Sequence, residues 1–216
     1  MLIYWHGHSE FYLEREDGFA LLTDPFDAHV GYPMGEYRAD AVTVSHGHGD
    51  HNFIQKAKGA PAIIDQAGQW QIDPDMKITA IPSFHDDAEG AKRGKNLIMK
   101  IETEGISLAH LGDLGTPLTE EQIAALGEID ILMIPVGGFY TIDAYTARAA
   151  VSALKPRIVI PMHFKHEEVN GDWPISDGGD FLKLMGAEKA EKMPLLRVTK
   201  GDLSQQPPLV LMQWKP

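Results

Sequence analysis

The sequence predicts an α/β domain in which two mixed sheets are covered by outer helices. Two observations carry that expectation. The first half of the chain is mostly short strands divided by turn residues, and the second half alternates buried strands with helices. The 216 residues are read as one domain, 1–216, near the upper end of the single-domain range. At 44% hydrophobic and 23% charged, the composition excludes a disordered or fibrous class.

Residues 2–6, 10–15 and 19–23 read as a β-meander, with Glu16-Asp17-Gly18 turning between the second and third strands. Thr23-Asp24-Pro25 ends the third, because proline donates no ladder hydrogen bond and restricts its predecessor. Residues 28–38, rich in Gly, Pro and Tyr, form a surface loop. Residues 41–45 are a short buried strand that runs into His46-Gly47-His48-Gly49-Asp50-His51, and residues 50–58 have helical character. Strands follow at 61–65 and 76–81, then a loop, 82–95, that carries His85. Residues 96–102 and 106–110 make a hairpin across Glu104-Gly105, and Leu111-Gly112-Asp113-Leu114-Gly115 is a loop. Thr119 caps a short helix. A strand at 130–135 precedes an Ala-rich helix at 143–155 that Pro156 stops, and a strand at 157–161 leads to His163. A weak helix near 179–185 and strands near 195–199 and 209–214 complete the chain.

The formal net charge of −12 repels a phosphate backbone and disfavours a nucleic-acid partner. The absence of cysteine excludes disulfides, thiolate-bound zinc, iron–sulfur clusters and thiol catalysis. No apolar run is long enough for a membrane span, and the N-terminus lacks the basic and apolar regions of a signal peptide, so the expected location is the cytoplasm. Ten histidines in a cysteine-free chain then stand out.

Three imidazoles and one carboxylate lie within six residues, His46-x-His48-x-Asp50-His51. Gly47 and Gly49 let the backbone fold tightly, so the early ligands can reach one cation while Asp50 and His51 point at another. Imidazole and carboxylate are what zinc accepts when thiolate is missing, whereas the plain alternative is a solvated His-rich turn. His85, Asp113 and His163 each follow a strand, where functional groups of α/β sheets gather. His110 shares strand parity with Ile106 and Leu108 and is expected to point inward, beside the ligands rather than among them. His8, in a turn after the first strand, is either a pocket hydrogen-bonding group or surface. Arg93, Lys95, Asn96, His166 and Trp173 flank the ligands and could contact substrate, while His6 and His29 are read as structural.

This ordered set, with Gly112-Asp113 and an aspartate, Asp24, after an early strand, resembles the metallo-β-lactamase superfamily of metal-dependent hydrolases. Gly7-His8-Ser9, Pro135-Val136-Gly137-Gly138 and Pro161-Met162-His163 resemble more specifically its branch of small proteins similar to ascorbate-6-phosphate lactonase. The resemblance implies a four-layer αβ/βα sandwich with two divalent metal ions at one edge, zinc by preference, with Mn²⁺ or Fe²⁺ admissible. It implies His46, His48 and His85 on the first ion, Asp50, His51 and His163 on the second, and Asp113 between them. Asp50 and Asp113 count as catalytic, and Asp24 orients a ligand imidazole. The implied reaction is hydrolysis of a small-molecule ester, lactone or phosphoester by a metal-bridging hydroxide. Alternatives are a phosphodiesterase or nuclease on the same fold, or a metal-stabilised binding protein without catalysis. A di-iron oxidoreductase would carry a carboxylate where His48 stands.

Overall fold

A computed structural model describes residues 1–59 and 61–214. Two six-stranded sheets face each other. The first has the order Leu196–Arg197, Leu2–Gly7, Glu10–Glu14, Ala20–Thr23, Ala41–Thr43 and Ala62–Ile64. Its meander is antiparallel, but Ala20–Thr23, Ala41–Thr43 and Ala62–Ile64 run parallel. The second has the order Ile158–Met162, Ile131–Pro135, Ile106–His110, Lys95–Thr103, Met76–Phe84 and Gly68–Asp73, parallel through its first three strands and antiparallel beyond them.

Side-chain alternation along these strands sorts the apolar residues between two cores. Ile3, Trp5, Phe11, Leu13 and Leu21 from the first sheet meet Met99, Ile101, Leu108, Ile131, Met133 and Ile160 from the second, filling the space between the sheets. The opposite parity, Ile98, Ala109, Leu132, Ile134 and Val159, faces the helices Ala144–Leu154 and Gly179–Leu184 through Ala147, Val151 and Phe181. Asp143 caps the longer helix by accepting from the Thr146 N–H at 2.8 Å, and Thr119 with Gln122 forms a capping box on Glu120–Leu126. Among the described residues, no helix is long and apolar enough to cross a membrane.

Several elements depart from the sequence expectation. The segment read as a loop, 28–38, contains a 3-10 turn, Ala28–Val30, and a short strand, Tyr37–Arg38, and the strand expected near 209–214 is only Leu211–Met212. Residues 50–58 are not a helix but a turn, a 3-10 turn at Ile54–Lys56 and a short strand, Ala57–Lys58, parallel to Tyr37–Arg38. The chain there is committed to tertiary partners: Lys56 plunges inward to Glu10, so its turn cannot continue as a surface helix. The edge strand Gly68–Asp73 escapes notice because it is polar and largely exposed, lacking the alternation that marks a half-buried strand. Met76–Phe84 continues through Pro82 because the edge strand has already ended opposite Ala80, leaving one neighbour to pair with.

The buried Lys56–Glu10 pair ties the loop after Ala41–Thr43 to the meander. Lys56 Nζ donates to Glu10 Oε2 at 2.5 Å and lies 3.6 Å from the centre of the Phe26 ring, while Glu10 also accepts from the Phe26 N–H at 3.1 Å and contacts His6 Nδ1 at 2.9 Å. Both residues are at most 2% exposed. Removing one member of such a pair strands the other charge in the interior. Lys56→Met should cost about 3–5 kcal/mol in urea unfolding, with partial recovery in the Glu10→Gln/Lys56→Met double variant. A loss within experimental error for the single variant would show that the pair is dispensable.

Candidate metal centre

The site assembles where strands of both sheets end. Asp24 follows Ala20–Thr23, His46 follows Ala41–Thr43, His85 follows Met76–Phe84, Asp113 follows Ile106–His110, and His163 follows Ile158–Met162. The loops are then fixed by hydrogen bonds. Asp24, fully buried, accepts from the Ser45 N–H at 2.7 Å, the Ser45 hydroxyl at 2.6 Å and His51 Nδ1 at 2.8 Å. This holds both ends of the six-residue motif to the neighbouring strand and leaves His51 Nε2 facing inward. Asn96 Oδ1 accepts from the Asp113 N–H at 2.9 Å, and its amide donates to Ser83 Oγ and the Leu111 carbonyl. Gly112, at φ +54°, lets this loop press against Asn96 and Ser45, where a Cβ would collide with both.

The loop after His85 is organised by Asp86, whose carboxylate accepts from the N–H groups of Ala88, Gly90, Lys92 and Arg93 at 2.6–3.0 Å. Its desolvation would raise the carboxyl pKa, but these four backbone donors outweigh it and hold the group at about 2.

Asp113 lies at the centre of the histidines. Its Oδ1 is 3.2 Å from His51 Nε2, and its Oδ2 is 3.2 Å from both His85 Nε2 and His163 Nε2 and 3.9 Å from His46 Nε2. His46 Nε2 lies 3.0 Å from His48 Nδ1. Asp50 Oδ2 is 3.4 Å from His8 Nε2 and 3.8 Å from His51 Nε2. Three groups thus each bring their ligand atoms within 4.8 Å of one another: His46, His48 and His85; His8, Asp50, His51 and His163; and His46, His51 and Asp113.

These residues fit divalent metal. Donor atoms on one ion with arms of about 2.1 Å stand roughly 3.0–3.4 Å apart, for octahedral and tetrahedral angles respectively, and most of the contacts around Asp113 fall in or near that range. His51 Nε2, Asp113 Oδ1 and both nitrogens of His8 are buried with no hydrogen-bond partner among the described residues, which is costly unless a cation satisfies them. Burial penalises the Asp113 carboxylate, yet His163 and His51 hold its pKa well below the usual range. Burial would likewise depress His51, but the Asp113 and Asp24 carboxylates raise it well above an ordinary imidazole, marking a place that favours positive charge. Burial, reinforced by neighbouring imidazoles, lowers His46 to about 3 and His8 to about 4, so both keep free lone pairs at neutral pH.

All seven residues expected as ligands come together here. His110 points inward as its parity requires but is fully satisfied: Nε2 donates to the Ser9 carbonyl at 2.8 Å and Nδ1 accepts from the Gly112 N–H at 3.2 Å. Of the flanking residues, Arg93 and Trp173 line a recess of about 360 Å³ over the candidate ligands, together with Tyr140 and His29. His29, read from sequence as structural, is therefore a wall of the site. Its separation from the motif in the chain hid this; in the structure its ring lies tilted against Trp173, the centres 5.5 Å apart. Asn96 positions Asp113 rather than meeting substrate. Lys95 lies outside the recess, and His166 packs away from it, accepting from Trp214 Nε1 at 3.3 Å. A separate groove of about 810 Å³ includes Arg15, Asp75, Lys100 and Glu104 and contains none of the candidate ligands.

The chain is similar to known proteins in sequence and, where a structure is solved, in fold. The profile of the beta-lactamase superfamily domain matches residues 2–163. A UPF0173 metal-dependent hydrolase of Pyrococcus furiosus is 31% identical, across 86% of this chain and 92% of its own length. One from Thermoplasma acidophilum is 32% identical, across 75% and 82%. A Thermotoga maritima crystal structure, described as a candidate zinc-dependent hydrolase of the metallo-β-lactamase superfamily, superposes with a TM-score of 0.79 at 36% identity, covering 98% of this chain and 97% of that one. The chain therefore belongs to the metallo-β-lactamase superfamily and, within it, to the UPF0173 family of metal-dependent hydrolases.

Proposed function

We propose that this protein is a dinuclear metal-dependent hydrolase, zinc by preference, acting on a small-molecule ester, lactone or phosphoester. The observation that carries the reading is the Asp113 carboxylate, whose two oxygens face histidines of both groups at 3.2 Å. His46, His48 and His85 would hold one ion, Asp50, His51 and His163 the other, and Asp113 would join them. Bound there, two divalent ions supply Lewis acidity toward the scissile group and activate water near neutral pH. The chain has neither cysteine nor a Gly-x-Ser-x-Gly turn, so a thiol nucleophile and the serine nucleophile of that motif are both missing.

The protein's own groups supply position and specificity. Asp24 holds the Nδ1 side of His51, which fixes the ring and keeps its other nitrogen aimed at the centre. The Arg93 guanidinium has no carboxylate within salt-bridge range among the described residues and stands 5.5 Å from the centre of the Tyr140 ring. Its planar donors and the faces of Tyr140 and Trp173 suit a compact substrate with an oxyanion or carbonyl to receive. A recess of about 360 Å³ in a chain of net charge −12 favours such a substrate over a polynucleotide. The phosphodiesterase alternative is tested by the same substrate panel.

Metal analysis of the purified protein, followed by a panel of lactones, esters and phosphodiesters, tests the reading; a metal-loaded protein inert to the whole panel would contradict it. Chelation should lower the melting temperature while leaving the far-UV signal intact at room temperature. The linkage contribution is about 4 kcal/mol when free metal is a thousand times Kd. Loss of secondary structure on chelation would instead identify a structural staple. Asp113→Ala should lower kcat more than any other single ligand substitution, because it loosens both ions together. Asp24→Asn, which keeps the left-handed backbone accessible, should weaken metal affinity by about 10- to 100-fold. Equal metal binding by wild type and Asp24→Asn would remove the positioning role of Asp24. Arg93→Gln should raise KM for an anionic substrate more than it lowers kcat, and an unchanged KM would exclude Arg93 from substrate binding.

A further inference from the structure

The second group of candidate ligands contains a residue that the paired-ion reading leaves without a task. We propose that His8 binds, through Nε2, the same ion as Asp50, His51 and His163, giving that half of the centre an additional imidazole from the first turn of the chain. The inference rests on the metal-centre reading above and concerns its composition.

His8 and His110 are both fully buried, and the contrast between them carries the argument. His110 uses both ring nitrogens in hydrogen bonds to the backbone, as a structural histidine in a core must. His8 uses neither: Nδ1 and Nε2 are both without a partner among the described residues. Its nearest carboxylate oxygen, Asp50 Oδ2, lies 3.4 Å from Nε2, beyond the roughly 2.7–2.9 Å of a charge-assisted hydrogen bond. Instead the separation matches the roughly 3.4 Å between two ligands of one tetrahedral zinc ion. The His8 ring centre stands 4.2 Å from that of His163 and 5.0 Å from that of His51, so the imidazole is already among the other ligands of this group.

The backbone is committed to this placement. His8 sits at φ +52° and His163 at φ +51°, a left-handed conformation uncommon for any residue other than glycine. The two turns are joined, because the His8 carbonyl accepts from the His163 N–H at 3.1 Å and from Trp5 Nε1 at 3.0 Å. Gly7, at φ +114°, lies against the Tyr32 ring, where a Cβ would clash, so the turn cannot relax outward. Such strain is retained where a side chain must be aimed, and here it aims His8 at Asp50.

The test uses the full chain with ¹⁵N-labelled histidine and zinc alone as the probe. On zinc addition the His8 ring nitrogens should shift together with those of His51 and His163. In competition with a chromophoric chelator, His8→Asn, which tolerates the left-handed backbone, should lose affinity for one zinc equivalent by about tenfold or more and keep the other. His8 resonances that stay in place at zinc saturation would overturn the proposal, as would a folded His8→Asn protein that binds both equivalents like wild type. Should that variant not fold, the wild-type resonances decide alone. A wild-type protein that takes only one zinc contradicts the two-ion reading, and the His8 resonances still decide whether His8 binds that ion.

Discussion

A carboxylate that is 1% exposed cannot stay ionised inside a protein unless positive charge surrounds it, and Asp113 is such a group. Histidines from three separate chain segments close around its two oxygens, and the loops that deliver them are held by partners of their own. Asp24 and Ser45 fix the motif loop, Asn96 fixes the Asp113 loop, and Asp86 fixes the segment after His85. The stability of the ion-free centre therefore depends on how much positive charge the imidazoles can share. The elevated pKa of His51, between Asp113 and Asp24, is the visible sign of that demand. A divalent cation answers the same demand without requiring any histidine to be protonated.

The two sheets exist in a form that makes this possible. Parallel strands in each place several carboxyl-terminal ends along one edge, where side chains can converge without interrupting a ladder. The inter-sheet core of Trp5, Phe11, Met99, Leu108 and Met133 supplies the rigidity against which the loops are braced. Left-handed residues at His8, Asp24 and His163 then turn the chain sharply as it leaves a strand. Strain at three points of one site is sustained by the packing and hydrogen bonds around it, and its effect is to hold ligand atoms in position before any ion arrives.

Much of this was legible in the sequence because the signals are local. The spacing of His46, His48, Asp50 and His51 is a chemical pattern within six residues, and His85, Asp113 and His163 follow strands whose apolar runs are plain. The inward direction of His110 follows from strand parity with Ile106 and Leu108. What stayed hidden depends on distant partners. Lys56 gives up a helical turn for a buried glutamate 46 residues earlier. Asn96, which reads as a flanking residue able to contact substrate, is instead a brace whose amide ties Ser83, Leu111 and Asp113 together. His29 joins the wall of the recess beside Trp173, far along the chain. Backbone handedness at His8 has no signature in a non-glycine residue, so the direction of its ring could not be inferred.

If Asp113 joins two metal ions, as proposed, crystals of the zinc-loaded protein will show both. Anomalous scattering measured on both sides of the zinc absorption edge should give two peaks per chain, roughly 3.5–4 Å apart and one on each side of the Asp113 carboxylate. A single peak, or two peaks of which one has no contact with Asp113, would rule out a bridging role for this carboxylate.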